Sequence, residues 1–229
     1  MKAAVIVFPG SNRDRDVALA VEQSLGKPPA MVWHKAPDLP KVDVVVVPGG
    51  FSYGDYLRCG AMAAQSPIMA EVKRRAAKGL RVIGICNGFQ ILTEAGLLPG
   101  VLMRNRGLKF ICRDVHLRVE QTRSAFTSRY RKGEVITFHV AHNEGNYFAD
   151  RRTLQTLEDK GQIAFRYCDA AGKVSDAVNP NGAQHNIAGI FNGRRNVLGL
   201  MPHPEVMADP RLGCTDARRM FDSMVEAVA

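Results

Sequence analysis

Cys86 lies in a setting suited to nucleophilic chemistry. The apolar run at 82–85 predicts a buried strand before it, and apolar residues at helical spacing follow from Phe89 onward. Gly84 and Gly88 bracket the cysteine, and a sharp strand-to-helix turn requires glycine there because a Cβ would clash with the crowded backbone. The pattern predicts a nucleophile elbow that carries cysteine in place of serine.

A helix N-terminus would make Cys86 more reactive. Its free N–H groups and partial positive charge favour thiolate over thiol. The N–H of Asn87 would point toward an oxyanion formed at the cysteine. The alternative is that Cys86 is only a small buried residue at a strand end. The pattern Gly-x-Cys-x-Gly alone supports the two interpretations about equally.

His203 and Glu205 supply the groups that a cysteine nucleophile requires. His203 follows a predicted strand and lies between Pro202 and Pro204, which restrict the backbone on both sides. A histidine that accepts the proton of Cys86 needs a carboxylate on its other nitrogen, and Glu205 lies two residues further on. The alternative is a loop histidine followed by an exposed carboxylate. The elbow and the rigid histidine loop together favour a catalytic triad.

Alternating strands and helices would bring these residues together. Apolar runs predict strands and helices at 3–8, 13–25, 30–34, 42–47, 67–79 and 82–85. This alternation predicts parallel βαβ units in a three-layer α/β sandwich with a mostly parallel central sheet. Ligands bind at the carboxyl ends of such strands. Gly49 or Gly50, at the end of one strand, is therefore expected to offer a second N–H to the oxyanion.

The second half of the chain predicts a different kind of strand. Alternating residues at 115–119 and 134–140 indicate antiparallel strands at the edge or back of the sheet. Further strands and a closing helix are predicted at 162–167, 187–191, 197–200 and 215–228. The chain has no repeat, low-complexity segment or linker, so we expect a single domain over residues 1–229.

The composition is that of an ordinary globular protein. Of 229 residues, 46% are hydrophobic and 23% charged, and no apolar run approaches the ~20 residues of a membrane span. The five cysteines are far apart and form no Cys-x-x-Cys pair, which indicates a reducing compartment and predicts a cytoplasmic protein. The net charge of +9 is scattered without a nucleic-acid-binding signature, so we interpret it as a surface property.

Two polar segments have more than one interpretation. His139, His142 and Glu144 could suggest a metal site, but residues three apart on a strand point to opposite faces. A substrate-lining loop is therefore favoured, and no metal is predicted. The segment 51–58 (Phe-Ser-Tyr-Gly-Asp-Tyr-Leu-Arg) is richer in aromatic and charged residues than a connection requires. We interpret it as a gate or a partner surface.

The motifs together resemble those of class I, triad-type glutamine amidotransferases. They are Pro-Gly-Ser-Asn at 9–12, the segment 48–58, Gly-Ile-Cys-Asn-Gly-Phe-Gln-Ile-Leu at 84–92 and Gly-Leu-Met-Pro-His-Pro-Glu at 199–205. Within that family they look most like glutaminase subunits of purine biosynthesis. The resemblance runs from the first strand to the last helix and implies a flavodoxin-like fold.

The resemblance implies a reaction and a role for each residue. Cys86 would attack the side-chain carboxamide of glutamine, and N–H groups near Gly50 and Asn87 would hold the oxyanion. His203 would protonate the departing ammonia, and Glu205 would orient His203. Water would then hydrolyse the γ-glutamyl thioester to glutamate.

The resemblance also implies substrate contacts and partners. Phe51, Gln90 and the loop at 142–147 would form the glutamine pocket, and the loop residues concerned are Asn143, Glu144, Gly145 and Tyr147. Position 143 departs from the family, where glycine is more usual. Ammonia would pass to a large synthetase subunit that uses ATP and Mg²⁺, with a small third subunit beside it. This chain has no phosphate loop and is expected to carry no cofactor.

Two other classes of protein stay open from the residues alone. One is another α/β cysteine hydrolase, such as a peptidase or a different amidase, which hydrolysis of glutamine would exclude. The other is a non-catalytic basic binding module on the same scaffold. Steep salt dependence of nucleic-acid binding, with function intact after Cys86→Ala, would mark the second class.

Overall fold

The computed structural model describes residues 1–227. The strands are β1 Ala3–Val7, β2 Ala30–Trp33, β3 Val44–Val47, β4 Arg81–Ile85, β5 Val101–Met103, β6 Ile111–Val119, β7 Val135–His142, β8 Asn146–Phe148, β9 Ile163–Cys168, β10 Ile187–Phe191 and β11 Val197–Leu200. The helices are α1 Asp14–Leu25, α2 Ala61–Ala64, α3 Pro67–Ala76, α4 Asn87–Glu94, α5 Arg151–Asp159 and α6 Arg218–Glu226.

One large sheet organises the chain. Its nine strands lie in the order β2-β1-β3-β4-β11-β10-β9-β6-β7. The pairs from β2 to β11 are parallel, in the flavodoxin-like order, and the pairs from β11 to β7 are antiparallel. Strands β5 and β8 form a separate antiparallel pair. The predicted α/β fold, with antiparallel strands added to a parallel sheet, is confirmed.

The parallel half is buried on both faces. All four valines of β3 have no exposed surface, as expected for a strand covered by helices above and below. Helix α1 packs against α6, while α4 packs across β3, β4 and β11. One hydrophobic cluster extends from Ala3 to Met224, which is consistent with the single domain that the sequence predicts. Within residues 1–227, no helix has the length and apolar character required to span a bilayer.

The closing helix is shorter than predicted. It begins at Arg218 rather than at residue 215, because Asp216 is hydrogen-bonded to β7 and to the segment that precedes β7. The Asp216 carboxylate accepts a hydrogen bond from the Thr137 N–H (2.8 Å), and its carbonyl accepts one from the Tyr130 hydroxyl (2.9 Å). The predicted contribution of Val228 lies outside the described residues.

Helix α5 was not predicted. Only Leu154 and Leu157 are buried along it, so its apolar stripe is too short to stand out in the sequence. Its clearest local signal is a cap, since the Asp150 carboxylate accepts a hydrogen bond from the Thr153 N–H (2.9 Å).

Gly199 allows α4 to pack directly on β11. A Cβ at this position would lie 2.1 Å from the Phe89 ring and 2.6 Å from Leu98. We expect Gly199→Ala to lower the free energy of unfolding by about 1–3 kcal/mol, because the core cannot accept the extra volume. Chemical denaturation measures this change. Gly193→Ala is the control, since Gly193 lies in the preceding turn with nothing within 4 Å of its Cβ position; equal losses in the two variants would contradict the prediction.

Candidate active site

The nucleophile elbow is present at Cys86. The cysteine joins β4 to α4 with φ 51° and ψ −107°, a backbone conformation that non-glycine residues rarely adopt. A Cβ on Gly88 would lie 1.9 Å from the Val47 carbonyl oxygen, and one on Gly84 would lie 2.6 Å from the Gly88 carbonyl oxygen. Both glycines are therefore required by the close approach of α4 to the sheet.

The pairing of β4 with β11 brings the histidine to the cysteine. Ile85 and Leu200 are partners in this parallel pair, so the residues that follow them emerge at the same edge of the sheet. The Cys86 N–H donates to the Leu200 carbonyl at 2.8 Å. His203 lies three residues beyond the end of β11, and its N–H donates to the His139 carbonyl on β7 at 2.7 Å.

His203 and Glu205 form a buried pair. Their side chains are 3% and 0% exposed, and His203 Nδ1 lies 2.6 Å from Glu205 Oε1. Among the described residues, His203 Nε2 has no hydrogen-bond partner. The carboxylate therefore holds one nitrogen of the imidazole, Nδ1, and leaves the other, Nε2, available for proton transfer.

The charges around His203 favour its protonated form. Burial acts to lower the pKa of His203, but the Glu205 carboxylate and the nearby Cys86 thiolate outweigh burial and raise that pKa to about 10. The imidazolium is therefore the form of His203 that faces Cys86 at neutral pH. The Cys86 Sγ also lies 3.9 Å from the Ala141 carbonyl oxygen.

A second buried imidazole lies close to the triad and stays neutral. Burial and the charge on His203 lower the pKa of His142 to about 3. Its Nδ1 lies 3.1 Å from the Asn105 side-chain oxygen. At neutral pH the proton of this site therefore resides on His203 rather than on His142.

Gly50 and Asn87 both lie beside Cys86, as expected of the predicted oxyanion donors. Gly50 has φ 146°, and a Cβ there would lie 2.8 Å from the Gly10 carbonyl oxygen. Asn87 is the first residue of α4, where a helix leaves its N–H without an intrahelical partner. Its side-chain oxygen accepts a hydrogen bond from the Ser52 N–H at 3.2 Å, which ties the glycine loop to the helix. Their role in holding an oxyanion stays a prediction.

A cavity of about 470 Å³ opens over the cysteine. Its lining includes four of the predicted substrate-binding residues, Phe51, Gln90, Asn143 and Glu144. The Gln90 side-chain amide donates to the Glu144 carbonyl at 2.7 Å, which braces the loop against α4. The cavity has the dimensions of a small-molecule site.

Gly145 and Tyr147 do not line this cavity, contrary to expectation. Tyr147 is fully buried, its hydroxyl donates to the Pro99 carbonyl (2.9 Å), and its ring stacks on Phe89 at a centroid distance of 6.0 Å. A Cβ on Gly145 would lie 2.3 Å from the His142 ring. Both residues therefore support the loop on the side away from the cavity. Tyr147 belongs to β8 and points into the core, and Gly145 packs against the His142 ring.

Several lining residues had not been predicted as substrate contacts, namely Asp55, Cys59, Arg104 and Phe110. Arg104 Nε lies 3.6 Å from Glu144 Oε1, so the cavity carries both signs of charge. Burial raises the pKa of Asp55, and burial with Glu144 and Asp55 raises the pKa of the Cys59 thiol. Cys59 therefore stays a neutral thiol. Asp55 falls in the segment interpreted as a gate, whereas no local pattern marks Arg104 or Phe110.

No metal set is found among residues 1–227, where no three His, Cys, Asp or Glu side chains could hold an ion together. His139 and His142 lie on β7 with different surroundings. His142 is buried beside Asn105, whereas His139 pairs with Asp114 on the neighbouring strand.

Asn105 clamps the loop beside the cavity and was not predicted. It is fully buried, and its side-chain amide donates to the carbonyls of Lys109 and His142, both at 2.9 Å. Its side-chain oxygen accepts a hydrogen bond from the Gly145 N–H at 3.0 Å. Its own N–H donates to the Asn143 carbonyl at 2.9 Å.

We expect Asn105→Ala to loosen this loop. Loss of the side chain leaves buried backbone groups without partners, which costs about 1–3 kcal/mol of the free energy of unfolding. Hydrogen exchange should accelerate over residues 142–145. Asn146→Ala is the control, because the one side-chain hydrogen bond of Asn146 within residues 1–227 is a long one, 3.4 Å to the Arg104 carbonyl. Unchanged exchange in Asn105→Ala would contradict the role given to this side chain.

Comparison with known proteins identifies the family. Residues 1–213 match the CobB/CobQ-like glutamine amidotransferase domain. Phosphoribosylformylglycinamidine synthase subunit PurQ of Bradyrhizobium diazoefficiens is 60% identical, over 99% of this chain and 97% of the relative. The protein of that name from Rhodospirillum rubrum is 58% identical over the full length of both chains.

Solved structures agree with this assignment. A chain in the structure of PurLQS from Thermotoga maritima is 40% identical and has a TM-score of 0.88, over 100% of this chain and 99% of that one. The glutaminase domain of Trypanosoma brucei CTPS with bound acivicin shares the fold alone, with 14% identity and a TM-score of 0.61, over 100% of this chain and 94% of that one. The chain therefore belongs to the CobB/CobQ-like glutamine amidotransferase family, as its motifs had indicated.

Proposed function

We propose that this chain is the glutaminase subunit of phosphoribosylformylglycinamidine synthase. It hydrolyses glutamine to glutamate and ammonia, and the ammonia is used to form phosphoribosylformylglycinamidine in purine biosynthesis. The observation that carries this proposal is the buried pairing of His203 with Glu205 beside an elbow cysteine, at the floor of a cavity. Full-length relatives that bear this name support the choice of reaction.

The geometry supports a two-step hydrolysis. The Cys86 thiolate attacks the carboxamide carbon, and the negative charge that develops on oxygen is held by the N–H groups near Gly50 and Asn87. The His203 imidazolium gives its proton to the leaving nitrogen, so that ammonia departs and a γ-glutamyl thioester remains. Water then attacks the thioester, His203 takes up a proton from it, and glutamate leaves as the thiolate is restored. Glu205 holds His203 in orientation throughout.

The charges in the cavity suit the free amino-acid end of glutamine. The Arg104 guanidinium can bind an α-carboxylate, and the carboxylates of Asp55 and Glu144 can bind an α-ammonium group. The side-chain amide of the substrate would then point toward Cys86. A peptide bond lacks these two charged ends, so the same groups would select against peptide substrates.

We also propose that a larger synthetase subunit receives the ammonia, with a small third subunit in the complex. The relatives are named as a subunit of a synthase, and a structural neighbour belongs to PurLQS. Phe51 and Phe110, which line the cavity, are exposed apolar side chains, and so are Tyr56 and Leu57 in the segment 51–58. ATP and Mg²⁺ belong to the synthetase subunit, and no cofactor is proposed here.

Loss of the nucleophile should abolish the reaction. We expect Cys86→Ser to lower kcat for glutamine hydrolysis by at least about 10³-fold, because the hydroxyl is a far weaker nucleophile than the thiolate. Glutamate formation is measured with the synthetase subunit present and absent. Cys214→Ser is the control and should keep full activity.

A covalent probe tests the same assignment without turnover. A glutamine-analogue electrophile should label Cys86, as shown by peptide mapping. Labelling at Cys59 or Cys214 instead, or hydrolysis that survives in Cys86→Ser, would refute the proposed nucleophile.

Glu205→Gln should shift the pH dependence of the reaction. In the wild type the pKa of His203 is raised to about 10, so the acid form is present at neutral pH and is lost as the pH rises through that value. Without the carboxylate, burial lowers this pKa unopposed by Glu205, and the alkaline limb of the kcat/KM profile should move to lower pH. The control is Glu158→Gln, which breaks the Glu158–His185 pair (2.8 Å) elsewhere on the molecule. An alkaline limb that stays in place would show that Glu205 does not maintain the acid.

A further inference from the structure

A second cysteine–histidine–carboxylate arrangement, formed by Cys112, His139 and Asp114, lies on β6 and β7 next to the catalytic site. Cys112 Sγ is 3.4 Å from His139 Nε2, and His139 Nδ1 is 2.7 Å from Asp114 Oδ1. The imidazole thus contacts a thiol through one nitrogen and a carboxylate through the other. Nucleophile, base and orienting acid take these same positions in cysteine-based sites.

The pairing of β6 with β7 explains this arrangement. Asp114 lies directly opposite His139 in the antiparallel pair, and Cys112 lies opposite Ala141, two residues further along. Since alternate residues share one face of a strand, the three side chains lie on the same face. The neighbouring core residue Val115 points to the other face, so this arrangement is not part of the hydrophobic core.

The thiol of Cys112 is accessible. Cys112 is exposed, whereas Cys59, Cys86 and Cys168 are buried and Cys214 is half-buried. The Asp114 side chain is 61% exposed and that of His139 is 23% exposed. A second cavity of about 470 Å³ opens beside the Asp114–His139 pair, and its lining includes Arg13 and the triad residue Glu205.

We propose that Cys112 is a reactive thiol that undergoes exchange with low-molecular-weight disulfides, a reaction distinct from glutamine hydrolysis. His139 Nε2 accepts the thiol proton while Asp114 holds Nδ1. The Cys112 sulfur attacks one sulfur of the disulfide, so a new S–S bond forms and the original one breaks. The leaving thiolate departs with the electron pair and takes the proton from His139. One disulfide and one protein thiol become a mixed disulfide and one small thiol.

The expected acceleration follows from general-base assistance. His139 removes the thiol proton as Cys112 attacks, whereas N-acetylcysteine reacts only through the small thiolate fraction that it has in solution at neutral pH. We therefore expect Cys112 to react with glutathione disulfide roughly tenfold faster than N-acetylcysteine does at neutral pH. The full chain is incubated with glutathione disulfide, and the mixed disulfide at each cysteine is followed by mass spectrometry.

Matched variants separate activation from simple exposure. His139→Gln and Asp114→Asn should each lower the rate at Cys112 several-fold, with the larger loss in His139→Gln. His116→Gln is the matched control, since His116 lies on the same face of β6 as Cys112. It should leave the rate unchanged, because His116 contacts the Thr137 hydroxyl (3.2 Å) rather than a thiol. Thermal unfolding confirms that each variant is folded. If His139→Gln does not fold, Asp114→Asn still tests the proposal, because Asp114 is exposed. Equal rates in wild type, His139→Gln and Asp114→Asn, or a wild-type rate no higher than that of N-acetylcysteine, would overturn the proposal.

Discussion

The parallel pairing of β4 with β11 is the contact on which the site depends. It joins two segments that are far apart in the chain and makes both end at the same edge of the sheet. The hydrogen bond from the Cys86 N–H to the Leu200 carbonyl fixes where the elbow begins relative to the strand that leads to His203. A shift of one residue in this pairing would turn every side chain of β11 to the opposite face and separate the base from the nucleophile.

The same site is a source of instability for the fold. Cys86 has a left-handed backbone, Glu205 has no exposed side-chain surface, and two imidazoles lie buried near one another. Each feature costs free energy that must be offset by packing elsewhere, above all by the apolar parallel strands. Charge balance limits this cost, because the positive His203 lies beside the Glu205 carboxylate while His142 stays neutral.

The sequence predicted those parts of the site that local patterns determine. Glycine spacing, apolar runs and the proline-bounded histidine each indicate a backbone shape, and the elbow and the parallel strands follow from them. Tyr147 and Asn105 could not be placed in this way. Whether Tyr147 faces the cavity depends on its pairing with Leu102, and the role of Asn105 depends on a loop that returns to it about forty residues later in the chain.

The backbone hydrogen bond from His203 to His139 has a consequence beyond catalysis. Strand β7 is the last strand of the sheet in pairing order, yet its His139 forms a bridge with the loop that follows β11. The antiparallel half must therefore curve back over the carboxyl ends of the parallel strands. An open strand edge exposes unpaired backbone groups that recruit other chains. The loop that carries His203 occupies this edge at His139, and so it also protects that position from intermolecular strand pairing.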